Sequence, residues 1–297
     1  MLVNLEQYHR PKSLAEALNL LKGSDGSIVP IAGGTHLVGS HDKRIREVVD
    51  ITQVIRRFIE FDGGLRIGAT TTLQKIIDSK YLKRPPYDIL RATCQATTAS
   101  KMIRNVSTLG GEIAHRSQYS DITTVLLALG AQLDLSLNSN GYSIVDVGTF
   151  VTNWDLYAEE LLRQNKADLR NQLVIQIVLP AQTELTGAAF VRLSQIPSSP
   201  TIMSAAARLS VKDGLCHTAR IALGAAGPHP RRLTQIESML EGRPLDEAII
   251  DEVSERVPQY IEPFSDARAS AQYRKRVSGV LVKRALKASL EKINHQP

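Results

Sequence analysis

Two short stretches carry the residue types that can do chemistry. The first is Ala32-Gly33-Gly34-Thr35, directly after the apolar run "SIVPI"; the second is Ser107-Thr108-Leu109-Gly110-Gly111-Glu112. Each sets paired glycines beside a threonine. Glycine lets a backbone approach a ligand closely, and successive N–H groups in a tight turn can form a concave anion-binding nest. The Thr35 hydroxyl can donate to a phosphate oxygen. Alone, either stretch is equally a plain turn. Together, two such loops far apart in sequence could pinch one diphosphate from two sides. The Walker A spacing G-x-x-x-x-G-K-[ST] is absent, and so is G-x-G-x-x-G. That disfavours a mononucleotide P-loop and a Rossmann site, and leaves open a dinucleotide held by two separate glycine loops.

No metal site is expected. His36, His41 and His115 lack ligand spacing, and a histidine beside a glycine loop more often forms a hydrogen-bonding wall. Cys94 and Cys216, the two cysteines, lie in no C-x-x-C pair. A disulfide framework, a zinc ribbon or a Cys-ligated iron–sulfur cluster within this chain is therefore disfavoured. No acid, base or nucleophile pair stands out, so no catalytic residue is assigned. Trp154 and Tyr157 read as packing residues.

The elements that must position these loops follow from pattern. "SLAEALNLLKG" reads as a helix with Ser13 and Glu16 as a capping box and Gly23 past its end. The strand "SIVPIA", the first glycine loop and the strand "REVVDI" make the opening β/α/β-like. "GLRIGATTTLQKIIDS" reads as strand, turn and helix, and "DILRATCQATTA" as another helix. Residues 103–121 have weak periodicity and read as a long functional loop. "DITTVLLALG" is a helix with Asp121 as its N-cap and Gly130 as its stop. "QLDLSL" alternates as a half-buried strand does. Near Pro180 the character changes. Two strands flank Lys212-Asp213-Gly214, a strong hairpin signal, and three helical patterns follow, the last of them basic.

The 297 residues suffice for two domains. The net charge of +6 allows nucleic acid, but basic residues are spread along the chain and aromatics make up only 5%, so nucleic-acid binding is not expected. No apolar run reaches the ~18–20 residues of a membrane span. No secretory signal is visible. A cytoplasmic protein is the expectation.

The two glycine motifs, in this order, resemble those of the FAD-binding subunits of the molybdenum hydroxylases, the family of xanthine dehydrogenase and the carbon monoxide dehydrogenase flavoprotein. "AGGTHL" resembles the first FAD motif, commonly AGGTDL or AGGHSL. "IRNVSTLGGEIA", with Ser117 and Asp121, resembles the second, commonly IRNxGTIGGN. "YHRPKSLAEALNLL" and "QYRKRVSGVLVKRAL" resemble the family's first and last helices.

The resemblance implies an α+β fold. Residues 1–179 would form a vanillyl-alcohol-oxidase-type (PCMH-type) FAD-binding domain with two α/β subdomains, about 1–55 and 56–179. Residues 180–297 would form a carbon monoxide dehydrogenase flavoprotein-like domain of antiparallel sheet plus helices. It implies that Val29, Pro30, Ile31, Ala32, Gly33, Gly34, Thr35 and His36 line the adenine and diphosphate side of FAD. Thr108, Gly110, Gly111 and Glu112 would close on the diphosphate, mainly through backbone N–H groups. Asp121 would reach a ribose or ribityl hydroxyl, Leu173 would pack on the flavin ring or serve as a core strand residue, and Arg192 would stand where a Lys is common. It implies electron transfer from the clusters of an iron–sulfur small subunit through FAD to NAD or another acceptor. Substrate would be hydroxylated on a molybdopterin-binding large subunit.

The chain departs from the pattern at His36 (commonly Asp), Ser107 (commonly Gly), Glu112 (commonly Asn), and Gln195 and Ser199 (often Arg and Asp). A carboxylate at Glu112 beside a diphosphate needs a cation or must turn away; Arg104, His115 and Arg116 are near in sequence. A flavin-free structural subunit is the alternative that these departures leave open, and a stand-alone flavin oxidoreductase is a third. The basic residues Arg274, Lys275, Arg276, Lys283 and Arg284 on the last helix could form a docking surface or a solvated face.

Overall fold

The computed structural model describes residues 2–22, 24–137, 141–152, 172–181, 184–196 and 199–295. Gly23, Trp154 and Tyr157 lie outside the described residues. The chain forms two compact units. The first gathers Met1–Ile76, Ser100–His115 and Gln132–Val178; the second gathers Ile77–Ala99, Arg116–Ala131 and Leu179–Pro297.

The first unit opens with β1 (Gln7–His9), α1 (Leu14–Leu21), β2 (Ile28–Ile31) and β3 (Glu47–Asp50), whose strands form a parallel sheet in the order β1-β3-β2. Val48 and Val49, on opposite faces of the central strand, are both fully buried, as a covered parallel strand requires. Pro30 falls on an edge strand, where a missing N–H costs little. The Ser13 hydroxyl accepts from the Glu16 N–H at 3.1 Å, but the Glu16 carboxylate reaches back to the N–H of Lys12 rather than that of Ser13.

A second sheet follows, in the order β4-β5-β8-β6-β7, from β4 (Ile59–Phe61), β5 (Gly64–Gly68), β6 (Gln132–Leu137), β7 (Gly141–Asp146) and β8 (Val174–Pro180). Between β5 and β6 the chain makes α2 (Leu73–Asp78), α3 (Asp88–Thr97), α4 (Lys101–Arg104), α5 (Leu109–Ala114) and α6 (Asp121–Leu129); α7 (Val147–Thr152) follows β7. The expected loop over 103–121 is thus partly helical. Helices of four and six residues are too short to show a period. Each is started by a side-chain cap, Ser100 for α4 and Thr108 for α5.

In the second unit β9 (Leu185–Leu193), β10 (Met203–Lys212), β11 (Leu215–Gly224) and β12 (Arg231–Arg232) form an antiparallel sheet. The β10–β11 turn has positive φ at Asp213 (52°) and Gly214 (77°), the two-residue geometry its sequence predicts. Three helices follow: α8 (Thr234–Leu240), α9 (Glu247–Arg256) and α10 (Ala271–Asn294). Their apolar faces share a core with Ala205, Ala207 and Leu209 of β10 and Ile221 and Leu223 of β11. Small residues let α10 lie close to the sheet. A Cβ at Gly187 would stand 2.1 Å from the Ser289 carbonyl, and the Ser289 hydroxyl donates to the Ala207 carbonyl at 3.0 Å.

Helix α6 belongs to this second unit and is buried along its whole length, as its all-round apolar sequence requires. Its N-cap is Ser120, whose hydroxyl accepts from the Thr123 N–H at 3.1 Å. Asp121, expected as the cap, is the first helical residue instead. Gly130 ends the helix at φ 72°, as expected.

Candidate functional site

The site begins where β2 ends. The Ile31 carbonyl accepts from the Ile51 N–H at 3.0 Å, and then the chain leaves the sheet. Gly34 adopts φ 69°, which glycine takes without cost, and the Val38 N–H closes a turn on its carbonyl at 2.9 Å. Gly33 is needed for a different reason: a Cβ there would lie 1.9 Å from the Val106 carbonyl oxygen. The two glycine loops therefore touch backbone to backbone. The Ser107 hydroxyl donates to the Thr35 hydroxyl at 3.1 Å, adding a side-chain link.

Between the loops lies a groove of about 610 Å³, within the usual ~300–1,000 Å³ range of small-molecule sites. Val29, Pro30, Ile31, Ala32, Gly33, Gly34, Thr35 and His36 all line it, as do Thr108, Gly111 and Glu112. Leu37, Ser40, Asp42, Arg44, Ala114 and His115 line it as well, and sequence reasoning did not assign them.

Hydrogen-bond accounting separates the two loops. In the second loop the N–H groups are spent internally: Leu109 to the Thr71 carbonyl, Gly110 to the Ala69 carbonyl at 2.8 Å, Gly111 to the Thr108 hydroxyl at 3.2 Å, and Glu112 to the Thr108 carbonyl. The expectation that Gly110 and Gly111 offer their N–H groups to a diphosphate is corrected accordingly. Gly110 is a packing glycine, since a Cβ there would stand 2.7 Å from the Cβ of Ala69. In the first loop, the N–H groups of Gly33, Gly34, Thr35 and His36 make no hydrogen bond to the protein among the described residues. Four successive open donors at the wall of a groove have the chemistry that suits an anion.

The charged side chains of the groove are paired. His36 Nε2 lies 2.9 Å from Glu112 Oε1, and the His36 ring stacks on His115 with centroids 4.1 Å apart and planes at 13°. The hydrogen bond to Glu112 raises the His36 pKa above its ordinary value, against the opposing effect of burial. Burial, and then the neighbouring His36, lower that of His115. Arg44 grips Asp42 through Nε at 3.0 Å and Nη2 at 2.7 Å, holding that carboxyl down at about 2. The side chain that meets Glu112 is thus His36, 76 positions away. Arg104, one of the sequence neighbours considered for this, donates to Gln74.

Asp121 and Arg192 belong to the second unit and meet there. Asp121 Oδ2 accepts from Arg192 Nε at 3.0 Å and from the Thr201 hydroxyl at 2.6 Å. Burial pushes the Asp121 pKa up, while Thr201, Ser204 and Arg192 favour its ionised form. Asp121 Oδ1 is buried without a hydrogen-bond partner. Arg192 also donates to the Ser199 carbonyl and to Thr201. Leu173, in the first unit, is 3% exposed and exchanges hydrogen bonds with Ser136 on β6. Of its two readings, core strand residue fits, since so little of its surface is open for a flavin ring. Arg274 is corrected as well. It is fully buried, bonded to the carbonyls of Ile202 and Phe264 and to Asp266, and cannot belong to a docking surface, whereas Lys275, Arg276 and Arg284 are exposed. Among the described residues no group of His, Cys, Asp or Glu is arranged to hold a metal ion.

The first unit thus holds a groove of about 610 Å³, a row of open N–H donors on its wall and a Glu112 carboxylate bonded to His36. Residues 4–182 match the family model described as the FAD binding domain in molybdopterin dehydrogenase, and the chain belongs to that family. Residues 198–289 match the CO dehydrogenase flavoprotein C-terminal domain. The chain is 29% identical over 290 residues to the xanthine dehydrogenase FAD-binding subunit of Escherichia coli O157:H7, covering 94% of each. It is 28% identical over 286 residues to the carbon monoxide dehydrogenase medium chain of Afipia carboxidovorans, again with 94% of each covered. A solved structure of carbon monoxide dehydrogenase from Hydrogenophaga pseudoflava, a form lacking the Mo-pyranopterin moiety, superposes with a TM-score of 0.85 at 26% identity, covering 98% of this chain and 99% of the other.

Proposed function

We propose that this chain is the FAD-binding electron-transfer subunit of a molybdenum hydroxylase complex of the xanthine or carbon monoxide dehydrogenase kind. The observation that carries this reading is the row of open N–H donors from Gly33 to His36, lining a groove in a chain of this family. When bound, FAD supplies the exchange of single electrons with iron–sulfur clusters and of electron pairs with NAD or another acceptor. Gly33, Gly34, Thr35 and His36 bind the diphosphate through their N–H groups. The Thr35 hydroxyl, which accepts from Ser107, keeps its own hydrogen for a phosphate oxygen. Thr108 shapes the second loop by capping α5. Asp121 and Arg192 pair within the second unit, where Arg192 and Thr201 fix the buried carboxylate.

Residues 1–179 act as the FAD-binding domain and 180–297 as the C-terminal domain. The partners are a molybdopterin-binding large subunit and an iron–sulfur small subunit. Cys94 and Cys216 are buried and form no disulfide among the described residues, which suits a reducing, cytoplasmic setting. Among the described residues no helix is long and apolar enough to cross a membrane.

The test is purification with and without added FAD, read by the flavin absorption spectrum, together with capture of the native complex from its host. Stoichiometric flavin and the two partner subunits are expected. A protein that stays colourless with saturating FAD would favour a structural subunit instead.

A further inference from the structure

We propose that His36 and Glu112 work as one unit in the groove: Glu112 is not a contact of the diphosphate but the counter-ion that holds His36 as an imidazolium, and His36 supplies the positive charge that admits the anion. This rests on the groove being the FAD site. The charged and titratable side chains lining the groove are Asp42, Arg44, Glu112, His36 and His115. Arg44 is committed to Asp42 by two hydrogen bonds. Glu112 is then left as a net negative charge on the wall that must receive a diphosphate, unless His36 answers it.

Geometry assigns the charge to one imidazole. His36 and His115 stack nearly parallel at 4.1 Å, where two imidazoliums would repel, and only His36 reaches the carboxylate. The two histidines are driven in opposite directions, His36 up and His115 down. The side chain of His36 is 40% exposed and that of Glu112 only 17%, so the cation is the more open member of the pair. The His36 N–H is itself one of the open donors, which puts its charge beside the others. Below its folded pKa, His36 is charged and the wall is neutral. As pH rises through that value the proton leaves, Glu112 is uncovered, and affinity for a polyphosphate falls.

The experiment titrates FAD into the full-length apoprotein between pH 5.5 and 8.5, following flavin fluorescence, for the wild type, His36→Asn, Glu112→Gln and the double variant. The wild-type Kd should rise about tenfold over the range. His36→Asn should bind about tenfold more weakly at the acid end, with a flat profile. Glu112→Gln should bind more tightly than wild type at the alkaline end. The double variant should return to within about threefold of wild type, a rescue that a merely structural role does not give. Independently of any variant, NMR titration of the wild-type imidazoles should place one histidine midpoint above the ordinary value and its stacked neighbour below it. A pH-independent wild-type Kd, or a double variant no better than His36→Asn, overturns the coupling. Failure of the wild type to bind FAD at any pH overturns the site itself, which is a separate result.

Discussion

Two polar regions of this molecule solve opposite problems. In the second unit, Asp266 accepts from the Tyr119 hydroxyl at 2.7 Å, from the N–H groups of Arg268 and Ala269, and from Arg274 Nη2 at 2.7 Å. The guanidinium of Arg274 also stacks over Phe264. In the first unit, four consecutive N–H groups and a half-open imidazole have been left for something else. The second unit's network satisfies a cation that folding has buried; the first unit's loop withholds satisfaction at a surface. Open donors held in place by a tight turn and a packed glycine are the mark of a binding site, and saturated ones are the mark of a scaffold.

The sharpest way to break this contrast is Asp266→Ala. It strands a fully buried Arg274 and is expected to cost about 3 kcal/mol in unfolding free energy by denaturant titration. The pH dependence follows from the same group. Burial pushes the Asp266 carboxyl up, but hydrogen bonds from Tyr119, Arg268 and Arg274 outweigh it and hold the pKa below the usual carboxylate range. Its contribution is therefore complete above the unfolded value near ~4 and is lost as pH falls through the depressed folded value. The stability gap between wild type and the conservative Asp266→Asn variant should narrow in acid, a change that unfolding curves at successive pH values would resolve.

Next in size is Gly33→Ala. The added methyl collides with the Val106 carbonyl and should cost about 1–3 kcal/mol while loosening the groove, read as a melting shift together with weaker FAD binding. Thr201→Val removes the shorter of the two hydrogen bonds to Asp121 Oδ2 and should cost about 1–2 kcal/mol by thermal unfolding, with no change in the His36 titration. The smallest effect belongs to Glu112→Gln. Its partner is half-open to solvent, so stability should change by less than about 1 kcal/mol even as the pH profile of FAD binding shifts.

The sequence shows the scaffold of the site more clearly than its chemistry. Glycine pairs, the Ser13 cap, the Lys212-Asp213-Gly214 hairpin and the Gly130 stop are local signals, and local signals survive into the fold. The capping of α4 and α5 is local too, but those helices are too short to raise a periodic pattern. What escapes are properties of contact and accounting. That Gly110 packs on Ala69 while the Gly34 N–H stays open cannot be seen in two similar glycine motifs. The His36–Glu112 pair joins positions far apart in the chain, so each looks alone like an awkward departure. Arg274 sits in a basic run and reads as surface; its burial depends on carbonyls at Ile202 and Phe264 that only the tertiary fold delivers.

The most direct measurement is amide hydrogen exchange across Gly33 to His36, with and without saturating FAD. The expected result is strong protection of these four amides on binding, with little change at Gly110 and Gly111, whose N–H groups are already bonded. Unchanged exchange at Gly33 to His36 in a protein that has demonstrably bound FAD would contradict the assignment of this loop as the anion-binding wall.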